Sequence, residues 1–166
     1  VGHVEAGLRT GNIYSPFPEE LNRQIVSRIS NFHFAPTKNA KTNLINENIS
    51  EDNIFVTGNT VIDALLLVVN KVRKSNYSNS KLIALSNLKK IILVTGHRRE
   101  NFGNGLMEIC FALKELSEKY SDLLIIYPVH LNPNVQKPVY KLLGSLDNVK
   151  LIAPLSYPAF VWLMNQ

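Results

Sequence analysis

Lys74-Ser75-Asn76-Tyr77-Ser78-Asn79-Ser80-Lys81 is the one stretch of this 166-residue chain that breaks an otherwise regular alternation of short β-branched runs and longer helical patterns. It is polar and lacks hydrophobic periodicity, so it reads as a linker or a long surface loop. Three β–α pairs precede it and three follow. The strand candidates are Val1–Glu5, Asn31–Ala35, Ile54–Thr57, Lys90–Thr95, Leu123–Val129 and Val149–Ile152. Between them Pro18–Ser30, Lys38–Asn48, Thr60–Arg73, Gly105–Tyr120, Asn134–Leu143 and Ser156–Asn165 read as helices. Such alternation implies α/β architecture, with parallel sheets and crossover helices. The break divides the chain into two Rossmann-like halves: residues 1–73 in one domain, 74–89 as a linker region and 90–166 in the other. A single doubly wound sheet carrying a long loop is the alternative. Leu106, Ile109, Leu113 and Leu116 fall on one helical face. Val61–Val69 is apolar nearly all round, which predicts a buried helix.

Composition narrows the class. Hydrophobic residues make up 45% and charged residues 19%, the balance of a packed chain, which excludes disorder. The longest apolar runs, such as Ala64–Val69, fall far short of the ~20 residues that span a bilayer. No basic, apolar, small-residue leader opens the sequence. One cysteine cannot form an internal disulfide, and a lone thiol fits the reducing cytoplasm. The net charge of +5 comes without an aromatic-basic RNA motif or a dense Lys/Arg face, so a pyrophosphate ligand suits it better than nucleic acid. The chain begins at Val1 rather than Met and stops inside a helical pattern at Gln166, which leads us to expect a piece of a longer protein.

In parallel sheets, ligands gather at the carboxyl ends of the strands, where loops lead into helix N-termini. Three such segments carry titratable residues: Glu5-Ala6-Gly7-Leu8-Arg9-Thr10, Gly96-His97-Arg98-Arg99-Glu100-Asn101 and His130-Leu131-Asn132-Pro133. Glu5 closes an apolar strand, where a carboxylate is costly to bury unless paired or functional. Glu19 and Glu20 follow Pro18 at a helix start, and Glu20 reads first as a carboxylate facing the helix dipole. His33, between Phe32 and Phe34, reads as a core or edge histidine, and His3 as one hydrogen-bonded within the sheet. The Thr95–Gly105 segment is the strongest of all. Glycines admit a ligand close to the backbone, arginines fork onto phosphate oxygens, and the next helix offers free N–H groups. It is neither a P-loop nor a dinucleotide-binding glycine turn, and no zinc-ligand cluster or serine-hydrolase elbow is present in the sequence.

These segments resemble a known family. His3-Val4-Glu5-Ala6-Gly7-Leu8-Arg9-Thr10, Pro16-Phe17-Pro18-Glu19-Glu20 with Asn22-Arg23, Thr57-Gly58-Asn59-Thr60-Val61-Ile62-Asp63-Ala64, Thr95 to Asn101, and Tyr127-Pro128-Val129-His130-Leu131-Asn132-Pro133 are similar, in order, to the bacterial non-hydrolysing UDP-N-acetylglucosamine 2-epimerases. The resemblance implies two Rossmann-like domains of the GT-B type around an active-site cleft, a homodimer, no cofactor and no metal. It implies exchange of UDP-N-acetylglucosamine with UDP-N-acetylmannosamine for cell-envelope polysaccharide. UDP is expelled from carbon 1 as a base takes the carbon 2 proton, and then adds back to 2-acetamidoglucal. By motif matching, Glu5, Glu19 and His97 take catalytic positions, Arg98 a nucleotide-sugar contact, and His130 a position in the regulatory substrate site of some members. Which carboxylate is acid and which base stays open, since close groups titrate together. The family's further Asp and diphosphate-binding basic residues would precede Val1, and its nucleotide-binding Asp-Ser-Gly-Gly segment would follow Gln166. Each Rossmann-like domain is therefore expected to be incomplete here. A GT-B glycosyltransferase and a non-catalytic UDP-binding fragment are the alternative readings.

Overall fold

The computed structural model describes residues 1–75, 90–96 and 104–166. Among these it contains two separate three-stranded parallel sheets, as the alternation implies. The first joins β1 (Gly2–Val4), β2 (Phe32–Ala35) and β3 (Ile54–Val56) in that order. The second joins β4 (Lys90–Leu93), β5 (Leu123–Pro128) and β6 (Val149–Ile152). The helices are α1 (Glu19–Ile29), α2 (Lys38–Asn46), α3 (Thr60–Lys74), α4 (Asn104–Lys119), α5 (Pro133–Leu143) and α6 (Tyr157–Met164). Contacts divide the chain into two units, Val1–Leu67 and Val68–Gln166, at a point within α3. The expected linker over 74–89 falls almost wholly outside the described residues.

In the first unit, the register pairs His3 with His33 and His33 with Ile54, which puts these residues on one face of the sheet. That face packs on α2 through Ala35, Ile54, Ala40 and Leu44. Thr37 starts α2 by accepting the Ala40 N–H at 3.1 Å. The opposite face carries Val4, Phe32, Phe34 and Phe55. The Phe34 and Phe55 rings stack 5.8 Å apart, while Phe32 and Val4 are half or more exposed.

The second sheet is covered on both faces. Leu123, Ile125 and Tyr127 of β5 enter a core with Leu106, Cys110, Leu113, Val135, Val139 and Leu143 of α4 and α5. Leu124 and Ile126 point the other way, into a cluster with Leu163 of α6. A strand apolar on both sides is what a central parallel strand requires. Asn132 caps α5 by accepting the Asn134 N–H at 2.9 Å, ahead of Pro133 in the first turn.

One sequence expectation is extended and one is corrected. Leu106, Ile109, Leu113 and Leu116 of α4 all face the core as expected, and Cys110 and Ser117 are buried beside them. A polar residue is buried there because the Ser117 hydroxyl donates to Asn148 Oδ1, and Asn148 Nδ2 donates to the carbonyls of Ser117 and Tyr120 at the helix end. And α3 is not buried. Val61, Ile62, Leu66 and Leu67 are each more than half exposed, and Val72 is its single buried residue.

Candidate functional site

The loop after β1 carries the first acidic candidate. Glu5 sits at φ +60°, a left-handed conformation that disfavours a side chain, directly where the strand ends. Its side chain is exposed, so the burial-cost argument for it fails and its backbone geometry is what marks it. The chain then turns inward. Ala6 is fully buried and donates its N–H to Phe34 O at 3.1 Å. Gly7 has φ +84°, and a β-carbon there would lie 2.1 Å from the Ala40 carbonyl oxygen, so only glycine fits. Asn43 of α2 donates to Gly7 O at 2.9 Å.

Arg9 fastens the next part of the loop. Its Nε and Nη2 donate to the two carboxylate oxygens of Glu47 at 2.6 and 2.8 Å, Nη1 to Leu8 O, and Nη2 also to Ser27 Oγ at 2.8 Å. Such a forked pair fixes a direction as well as a distance. A recess of about 450 Å³ opens beside this clamp, lined by Gly7, Leu8, Arg9, Thr37 and Asn43; neither Glu5 nor Glu19 lines it.

Glu19 opens α1 and is exposed, whereas its neighbour Glu20 is fully buried. Glu20 accepts the backbone N–H groups of Thr10 and Gly11 at 3.1 and 3.4 Å and the Gln24 amide at 3.4 Å. Burial is the strongest influence on its carboxyl and raises the pKa, but the bonds from Thr10, Gln24 and Gly11, with the Arg9 charge, together outweigh it and hold the pKa below the usual carboxylate range. It keeps the place in the first turn of α1 that its reading as a dipole-facing carboxylate gives it, and it also binds a loop. The sequence holds no local signal for this, because two adjacent acids look alike until the loop folds back onto one of them.

His3 and His33 stand edge to face with ring centres 6.3 Å apart. Both have lowered pKa values. For His3 the causes are burial, then His33, then Arg9. For His33 burial dominates, a hydrogen bond to the Ser30 backbone opposes it, and Arg9 adds to it. His33 is buried as expected, and its Nδ1 has no hydrogen-bond partner among the described residues.

In the second unit, His130 lies just beyond β5 and is exposed, its Nδ1 accepting the Asn132 N–H at 3.1 Å. Tyr127, fully buried on β5, donates its hydroxyl to Gly96 O at 2.8 Å and so anchors the start of the glycine-histidine-arginine segment. Its anchoring role was not legible in the sequence. His97 and Arg98 themselves lie outside the described residues. Glu5 and Glu19 therefore share one unit and one hydrogen-bonded loop system, and His130 belongs to the other unit. No group of three or more His, Cys, Asp or Glu fit to hold a metal occurs among the described residues.

Comparison with known proteins follows the same lines. The family model described as UDP-N-acetylglucosamine 2-epimerase matches residues 1–166. The UDP-N-acetylglucosamine 2-epimerase of Escherichia coli K12 is 54% identical over 99% of this chain, which spans 45% of that protein. The crystal structure of the Neisseria meningitidis UDP-GlcNAc 2-epimerase bound to UDP-GlcNAc matches with a TM-score of 0.92 and 48% identity, over 99% of this chain and 45% of the other. The Methanocaldococcus jannaschii enzyme, in complex with UDP-GlcNAc and UDP, matches with a TM-score of 0.74 and 34% identity, over 98% of this chain and 45% of the other. The chain thus spans somewhat under half the length of these relatives.

Proposed function

The chain belongs to the UDP-N-acetylglucosamine 2-epimerase family, and from that premise we propose that the protein it represents interconverts UDP-N-acetylglucosamine and UDP-N-acetylmannosamine. The observation that carries this reading is the match of the whole chain to the family, and relatives solved with UDP-GlcNAc or UDP support the ligand class. The reaction inverts carbon 2, which has no neighbouring carbonyl to acidify its proton. Elimination of UDP as the proton leaves, followed by re-addition, solves that problem and needs acid–base groups with cationic or N–H groups for the departing diphosphate.

In this reading Glu5, Glu19 and His97 serve the proton transfers and Arg98 contacts the nucleotide sugar. Exposure of Glu5 and Glu19 beside one clamped loop supports their role. His130 is assigned to a regulatory substrate site, the intact protein to a homodimer, and the reaction to the cytoplasm, in two domains bounded near 1–73 and 90–166. Among the described residues no helix is long and apolar enough to cross a membrane.

The test is solvent deuterium exchange at carbon 2, followed by NMR in the full-length protein. Glu5→Gln, Glu19→Gln and His97→Asn should each slow exchange by about 10²–10⁴-fold with the fold intact. Near-normal exchange in Glu5→Gln would remove it from the catalytic set. A wild-type protein that transfers the sugar to an acceptor without exchanging the epimers would favour a glycosyltransferase instead.

A further inference from the structure

Resting on that reading, we propose that Glu20 is a positioning residue of the reaction: a buried carboxylate that ties the loop after Glu5 to the helix turn that carries Glu19. One side chain grips both pieces. Its backbone belongs to the first turn of α1, next to Glu19, and its oxygens hold the N–H groups of Thr10 and Gly11. A second stitch runs across the same loop, where the Thr10 hydroxyl donates to Ser15 O at 2.6 Å. On the far side, the Arg9–Glu47 fork and the bond from Asn43 to Gly7 hold the loop against α2. The span from Gly7 to Ser15 is therefore tied at both ends, and Glu5 and Glu19 flank it.

The chemistry explains why a carboxylate serves here. Two backbone N–H donors converge on it, and only an acceptor-only group satisfies both without placing a donor against a donor. A fully buried carboxylate held ionised by such donors is stiff, because any motion of the loop would strand a charge away from water. Stiffness matters for the proposed reaction because acid–base groups must meet one carbon from defined directions, and small misplacements there cost rate rather than affinity.

Glu20→Gln in the full-length protein replaces one acceptor oxygen by a donor. It should lower kcat roughly tenfold to a hundredfold, with KM for UDP-N-acetylglucosamine kept within about twofold. The kinetic isotope effect with substrate deuterated at carbon 2 should rise, as proton transfer becomes slower relative to the other steps. Thr10→Val removes the second stitch and leaves the backbone donors in place. It should lower kcat by about threefold with KM unchanged, and its exposed position lets the fold survive, so it decides the matter should Glu20→Gln not fold. A folded Glu20→Gln, or failing that Thr10→Val, with wild-type kcat and isotope effect would overturn the proposal while an active wild type leaves the functional reading standing. A wild type without epimerase activity would overturn both.

Discussion

In the Val68–Gln166 unit the middle strand, β5, is buried from Leu123 to Tyr127, and apolar side chains meet it from both faces. In the Val1–Leu67 unit the middle strand, β2, buries His33 and Ala35 and leaves Phe32 half exposed. The first unit's apolar core is small, built from Ala6, Ala35, Ala40, Leu44 and Ile54. Around it stand the buried Glu20, Ser27 and His33 and the Arg9–Glu47 fork. One unit is therefore held mainly by apolar packing and the other leans on directed polar bonds. The polar unit is also the one that carries Glu5 at a left-handed φ, and a loop that must hold side chains in fixed directions is better served by hydrogen bonds than by non-directional packing.

The largest effect should come from cutting the packed core. Ile125 is fully buried at the centre of the second sheet, and Ile125→Ala should cost about 2–5 kcal/mol as lost transfer energy and a cavity add together. Phe55→Ala on the open face of the first sheet removes a larger side chain that is 44% exposed, and should cost distinctly less. Chemical denaturation of both variants checks the order. A Phe55→Ala loss equal to that of Ile125→Ala would show that the open face is covered in solution.

Next in size is the clamp. Arg9→Met keeps much of the side chain's apolar stem and removes its charge-assisted bonds, leaving Glu47 partly buried and unpaired. Because Glu47 retains access to water, the expected loss is about 1.5–3 kcal/mol. Amide exchange should rise first in the loop from Gly7 to Asn12 and hardly at all in β5. Equal loosening of both units would mean that the fork is not local to the first.

How much of this was legible in the sequence follows from the range of each interaction. Strands and helices were, because their periodicity is local: Leu123–Val129 reads as an apolar strand and forms β5. Glu5 was marked by its place at the end of a strand, whereas Glu19 was set apart from its neighbour only by the family resemblance. The loop-binding of Glu20 was not legible, since its partners Thr10 and Gly11 come to it only when the loop folds back. The Arg9–Glu47 pair, 38 residues apart, leaves no trace in local spacing. The apolar face of α4 was legible as well, but its buried Ser117 was not, because the asparagine that meets it lies 31 residues away. And α3 shows the limit of composition: apolar residues on every side state that a helix wants cover, but not whether neighbouring residues supply it.

The smallest effect should come from pH, and it should act in opposite directions on the two units. His3 and His33 have folded pKa values below the ordinary 6.5. As pH falls below 6.5 the unfolded chain takes up protons first, so the first unit loses stability progressively until the folded values are passed. Protonating His33 would also place a charge beside an Nδ1 that has no partner among the described residues. Glu20 adds a second step, its contribution intact above 4.5 and lost as pH drops through its lowered folded value. In the second unit, burial raises the Cys110 thiol above 9.0, and burial followed by Cys110 raises the Tyr127 hydroxyl above 10.0. Their contributions are intact at neutral pH and are lost as pH rises through the folded values, when the unfolded chain ionises first. Methyl NMR reports each unit separately through Ile54 and Ile125, both buried. The Ile54 signal should shift toward its unfolded position first in acid, and the Ile125 signal first in alkali. The two signals moving together in acid and in alkali would show that the units unfold as one, and the contrast between them would then describe packing alone.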